Sequence, residues 1–176
     1  CNALQLLFQA EACGRSVADV LSGEYALSEG PLDEYGELLA RGTDEHLADI
    51  DAVLSGATRN WSLSRVSATD RNLLRIALYE MLFVDEVAPA VAIDECVELA
   101  KAFGSSEESN HFVNGVLGRI QADIDAGVDV VAQAREREAA EASAYDEQAS
   151  DDYEGASVAD DELACMPVPD WANEGE

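Results

Sequence analysis

Positive charge is what this sequence most lacks: Lys and Arg number 10 against 37 Asp and Glu, giving a formal charge of −27 over 176 residues. That balance excludes a nucleic-acid ligand held by the net field of the whole protein. The deficit is uneven. Residues 1–120 carry 20 acids and 8 bases, and residues 121–176 carry 17 acids and 2 bases. Metal-ligand spacing is also missing. Cys1, Cys13, Cys96 and Cys165 form no C-x-x-C pair and have no histidine nearby, so free thiols in a reducing cytosol are expected and a zinc site is not. No run approaches the roughly 18 apolar residues of a membrane span, and no charged-then-apolar leader opens the chain, which reads as cytoplasmic. His46 and His111, the two histidines, lie in no nucleophile or metal motif, and no Gly-rich phosphate loop occurs. The expectation is a non-enzyme without cofactor or metal.

Strand patterning is absent too, and nearly every patterned segment has the helical period, so the class is all-α. Ala3, Leu4, Leu6, Leu7, Phe8 and Ala10 make a first helix that Gly14 stops. Nothing before it provides a cap, and Cys1 is not an initiator Met, so the sequence is expected to begin inside a helix and to lack an N-terminal piece. A short helix over Ser16 to Leu21 follows. Pro31 suits the first turn of a long helix carrying Tyr35, Leu38, Leu39, Leu47, Ile50, Val53 and Leu54, with Gly42 a tolerated weak point. Trp61, Leu63 and Val66 form a short apolar turn that leaves Arg59 and Arg65 outward. Ser67-Ala68-Thr69-Asp70 opens a strongly apolar helix as a capping box. Pro89 starts the next helix, Gly104 ends it, and Ser105 or Ser106 caps a last core helix through Phe112, Val113, Val116, Leu117 and Ile120. About seven helices result.

After about Ala126 the apolar density falls. Residues 133–143 suit a solvated helix, and Ser150 to Glu176 reads as a disordered acidic tail. The division is therefore 1–126, a helical domain, and 127–176, a partly helical and then disordered acidic extension.

Several separate strings stand in order along the chain: A-L-Q-L-L-F-Q-A-E (3–11), Trp61-x-Leu63-x-Arg65-Val66, D-R-N-L-L-R-I-A-L-Y-E (70–80), V-A-I-D-E-C-V-E-L-A-K-A-F-G (91–104) and H-F-V-N-G-V-L (111–117). Together they resemble the NusB family of transcription antitermination factors over residues 3 to about 120. The resemblance implies two packed helical sub-bundles and a non-enzymatic role. Its expected partners are the boxA RNA of nascent rRNA leaders, held as a single strand jointly with the ribosomal protein NusE, and the RNA polymerase antitermination complex. It also implies an arginine-rich stretch before the segment matching Ala3, so a basic N-terminal arm is expected. Some family members dimerise through the RNA-binding face, and the residues leave a homodimer open.

The residues that the resemblance brings to RNA are Gln5, Phe8, Asp70, Arg71, Lys101, Phe103, Phe112 and Asn114. Phe8 is either a base-stacking aromatic or plain core. Arg71 and Arg75 share one helical face; Arg71 is expected on a phosphate and Arg75 in a brace between helices. Asp70 either caps its helix, the favoured reading, or accepts from a base. Phe103, Phe112 and Asn114 gather at the junction of the last two core helices, where Phe112 would stack and the Asn114 amide would meet a base edge. Lys101, the one lysine, is a surface ion pair with Glu98 or a phosphate contact. Two rivals stand beside this reading: the helical RNA-binding domain of an rRNA cytosine methyltransferase, and an interaction module without RNA binding. The first requires a cofactor-binding domain that nothing after residue 125 supplies.

Overall fold

The computed structural model describes residues 1–28, 30–58 and 62–154, with side chains through 144. Helix α1 (Asn2–Cys13) buries Ala3, Leu4, Leu6, Leu7 and Ala10 along one stripe. It ends where Gly14 takes φ +61°, a left-handed cap that returns its N–H to the carbonyls of Ala10 and Glu11. The side chain of Ser16 caps the short α2 (Val17–Leu21), and the Val17 N–H donates to the Asp44 carboxylate at 2.9 Å, tying α2 to the next helix.

That next segment departs from the single long helix expected. α3 (Glu34–Glu45) starts three residues after Pro31, because Asp33 is the true cap and its carboxylate accepts from the Gly36 N–H at 2.6 Å. Pro31 instead stays in the loop, where its carbonyl accepts from the Asn2 amide. α4 (Leu47–Ala57) begins after a kink at His46 (φ −101°, ψ 14°), whose ring stacks on Phe83 with centroids 4.1 Å apart. Gly42 is a close approach and no tolerated weak point, since a Cβ there would lie 2.0 Å from the Tyr79 ring.

Leu63–Arg65 forms a 3₁₀ turn; Trp61 and Arg59, expected beside it, lie outside the described residues. Ser67 caps α5 (Ala68–Phe83) as the capping box requires. α6 (Pro89–Phe103) has Pro89 in its first turn and Gly104 at its end. α7 (Ser109–Asp125) begins later than expected, with Glu108 and not Ser105 or Ser106 at the cap position, because the hydroxyls of Ser105 and Ser109 turn to Asp70.

α5 is the shared centre. Its Leu73, Leu74, Ile76, Ala77 and Leu78 are buried on both sides, against α1 and α3 in one sub-bundle and α4, α6 and α7 in the other. Leu6, Ile50, Leu54, Val113 and Leu117 complete the core. Among the described residues there is no strand, and no helix is long and apolar enough to cross a membrane.

The compact unit runs from Cys1 to Ala140, beyond the boundary expected at 126. The cause is the start of α8 (Val130–Glu154), where Val130 and Ala134 join the core and Arg135 grips the Asp49 carboxylate with two hydrogen bonds of 2.7 Å. Arg137 reaches the Ala52 carbonyl across Gly56, where a Cβ would meet the guanidinium at 1.9 Å. The second unit, from Glu141 onward, holds the remainder of α8; residues 150–154, expected to be disordered, continue that helix, and the rest of the expected tail, 155–176, lies outside the described residues.

Candidate nucleic-acid interface

The N-terminus of α5 is where three separate segments meet. Asp70, at the third position of the helix, is 5% exposed and its Oδ2 accepts from the hydroxyls of Ser67 (2.8 Å), Ser105 (2.6 Å) and Ser109 (3.1 Å). Ser67 carries the capping role. Asp70 instead clamps the turn between α6 and α7 onto α5, and its oxygens are spoken for before any base could reach them. The clamp fixes where Phe103 and Phe112, on either side of that turn, face the surface.

Arg71 is the main departure at the level of single residues. Its guanidinium donates to the Glu11 carboxylate through Nε and Nη2 and to the carbonyls of Leu63 and Val66 through Nη1, leaving its side chain 14% exposed. The expected phosphate contact gives way to a brace that ties the 3₁₀ turn to α1. Arg75 braces as expected: it holds the Asp51 carboxylate by two bonds of 2.8 and 2.7 Å and donates to Asn72. Asn72 in turn donates to Glu11 at 2.7 Å. Burial pushes the Glu11 carboxyl upward, but the bonds from Arg71 and Asn72 and the charges of Arg71 and Arg75 prevail and hold it below its ordinary value.

Three aromatics are left at the surface around this anchored end. Phe8 of α1 (45% exposed) and Phe103 of α6 (49% exposed) line one shallow apolar groove with Leu4, Gln5 and Thr69. Phe8 is therefore not core. Gln5 edges the groove while its amide grips Ser28, donating to the hydroxyl and accepting from the N–H at 2.9 Å, so it holds the loop after α2 in place. Phe112 of α7, half-buried, lines a neighbouring cavity with Asp70, Ser105 and Arg65. Asn114 is exposed, and its amide makes no hydrogen bond among the described residues. Gly115 beside it has open space where a Cβ would stand, so close packing does not account for this helix-weakening pair. Lys101 is exposed and paired with Glu98.

Arg65 was read only as an outward arginine. The structure sets it on the rim of the Phe112 cavity with a guanidinium that has no partner among the described residues. Its place follows from the 3₁₀ turn, whose position depends on the Arg71 brace; the W-x-L-x-R-V string carries the residue without its surroundings. Those residues also hold no group of His, Cys, Asp or Glu able to bind a metal ion.

Residues 2–122 match the model of the NusB family. The transcription antitermination protein NusB of Rubrobacter xylanophilus is 46% identical over 116 residues, covering 66% of this chain and 82% of that protein. Its counterpart from Pelotomaculum thermopropionicum is 42% identical over 124 residues, covering 68% and 83%. Among solved structures, NusB of T. maritima superposes with a TM-score of 0.58 at 37% identity, covering 68% of this chain and 84% of that one. A chain from the crystal structure of antitermination factors NusB and NusE in complex with double-stranded RNA gives 0.55 at 25% identity, covering 68% and 89%. With the two-sub-bundle fold centred on α5 and a family match over more than half its length, this chain belongs to the NusB family.

Proposed function

We propose that this chain is a transcription antitermination factor that binds boxA-type single-stranded RNA of nascent rRNA together with NusE and so makes RNA polymerase resist termination. One observation carries the reading: Phe8, Phe103 and Phe112 come from three different helices and lie exposed or half-buried around one anchored helix end. Exposed aromatics around a rigid point suit unstacked bases, each stack contributing roughly 1–3 kcal/mol. Arg65 borders the Phe112 cavity, Lys101 and Asn114 are the exposed polar side chains proposed for RNA on the helices that carry Phe103 and Phe112, and Asp70, Arg71 and Gln5 support the site from beneath. The names of the relatives and the solved complex with NusE and RNA agree with this assignment.

Free cations at this edge are few, so the phosphate contribution is small and a protein partner that adds contacts is part of the proposal. Residues 141–176 carry 12 acids and no base. The deciding experiment is a gel-shift on boxA and scrambled RNA with and without NusE. A boxA preference that strengthens with NusE, and falls about tenfold or more in Phe8→Ala or Phe112→Ala, is expected. Binding indifferent to both RNA sequence and NusE removes the proposal.

A further inference from the structure

Between the 3₁₀ turn and the start of α7 lies a cavity of about 240 Å³, bordered by Arg65, Ser106, Glu108 and Phe112. It is smaller than the ~300–1,000 Å³ of typical small-molecule sites, so it suits one planar group and not a whole cofactor. Most of its polar lining is already matched internally. Ser67, Ser105 and Ser109 give their hydroxyl protons to Asp70, and the Ser106 N–H donates to Ser109 Oγ at 3.1 Å.

Two side chains are different. The Arg65 guanidinium and the Glu108 carboxylate are exposed and make no hydrogen bond or ion pair among the described residues. Phe112 stands one helical turn after Glu108 on the same face, so its ring flanks the space between them. The cavity thus presents a donor-only fork, an acceptor-only pair of oxygens and an aromatic face.

We infer that this cavity is a pocket for a single unstacked guanine base. Guanine alone offers a carboxylate two parallel donors, N1–H and the N2 amino group, while its O6 and N7 accept a bidentate arginine. Adenine and cytosine bring one amino group beside a ring-nitrogen acceptor that would face the carboxylate, and uracil brings one N–H between two carbonyls. In this assignment Arg65 and Glu108 read the base and Phe112 stacks on it. It rests on the RNA-binding reading above and adds which base the edge selects.

The test is a ¹⁵N NMR titration of the full chain with guanosine monophosphate, using the adenosine, cytidine, uridine and inosine monophosphates as comparisons. Guanosine monophosphate is expected to move the Arg65 Nε–H and the amides of Ser106 and Phe112, and the adenosine, cytidine and uridine nucleotides to leave them in place. Arg65→Met should weaken guanine binding about tenfold, the effect of losing one bidentate pair. Glu108→Gln should remove the preference for guanosine over inosine, which lacks the N2 amino group. Both residues are exposed, so both variants are expected to keep the wild-type helical circular dichroism.

Equal shifts with all the nucleotides, or none with guanosine monophosphate, overturn the pocket, as does an undiminished guanosine preference in Glu108→Gln. This readout is separate from the boxA gel-shift. A chain that prefers boxA but ignores guanosine monophosphate loses only the pocket, and one that takes guanosine monophosphate but ignores boxA loses only the antitermination reading.

Discussion

Glu11 shows how a single carboxylate converts a motif into a scaffold. It accepts from Arg71 and Asn72 and lies 3.5 Å from Arg75, so one acid of α1 engages two arginines of one α5 face, Arg75 being held chiefly by Asp51. The string around Arg71 fixed its helix and its face, yet not its partner, because that partner is distant in sequence and Glu11 reads as an ordinary solvated acid. Glu11→Gln leaves the Arg71 guanidinium without its charged acceptor, while Arg75 keeps Asp51, and should cost about 1–3 kcal/mol in urea unfolding. The pH dependence follows from the lowered carboxyl. A depressed folded value gives stability that is present above the ordinary carboxylate range and lost as pH falls through the folded value. Wild type should therefore lose more stability than Glu11→Gln between about pH 5 and pH 3, and parallel acid profiles would remove Glu11 from this role. Thiol chemistry divides the cysteines in a similar way. Cys96 is 3% exposed and donates weakly to the Leu73 carbonyl; burial, with the nearby charges of Asp70 and Glu80, pushes its thiol up to about 12. Cys13 is exposed. Site-resolved mass spectrometry after a brief maleimide pulse at pH 8 should find Cys13 labelled and Cys96 intact.

Helices were legible where the signals were local, and misplaced where a tertiary contact decided. The capping box at Ser67, Pro89 in the first turn of α6 and the stop at Gly104 each depend on neighbours within a turn, and each stands as read. The α3–α4 kink at His46 does not, because what stabilises it is stacking on Phe83, 37 residues later. Gly42 belongs to the same contact. On propensity alone Gly42→Ala should stabilise its helix by up to about 1 kcal/mol. Packing predicts the opposite sign, since the new methyl meets the Tyr79 ring, itself stacked on Phe83. A net loss of about 1–2 kcal/mol in thermal or urea unfolding is expected, and a gain would mean that the ring moves aside freely. The late start of α7 has the same origin: Ser105 and Ser109 turn to Asp70, 35 and 39 residues away. That displacement matters for the site, because it is what leaves Glu108 and Phe112 on one face beside Arg65.

At the scale of the whole molecule, the proposed function asks how an acidic chain would hold a polyanion. Residues 1–140 carry 25 acids and 10 bases, while residues 141–176 carry 12 acids and no base. Within the folded unit Arg71, Arg75 and Arg135 are consumed by Glu11, Asp51 and Asp49, so the free positive charge is smaller than the count of arginines suggests. Base stacking and base-edge bonds at a local rim therefore have to do more than phosphate attraction, and specificity should exceed what salt-sensitive binding alone provides. The acidic segment sharpens that contrast, since its twelve acids, with no base among them, repel any RNA within a Debye length, about 30 Å at 0.01 M salt and about 3 Å at 1 M. Removing 141–176 should then strengthen binding to random RNA severalfold at about 0.01 M salt, with the gain shrinking as salt is raised. Affinity for boxA should rise by less, because its base contacts do not depend on the field. Fluorescence anisotropy on both RNAs across a salt series reads all of these quantities. Unchanged random-RNA affinity at low salt would leave the acidic segment without an electrostatic part in selection, and the few free cations of the bundle would have to account for it alone.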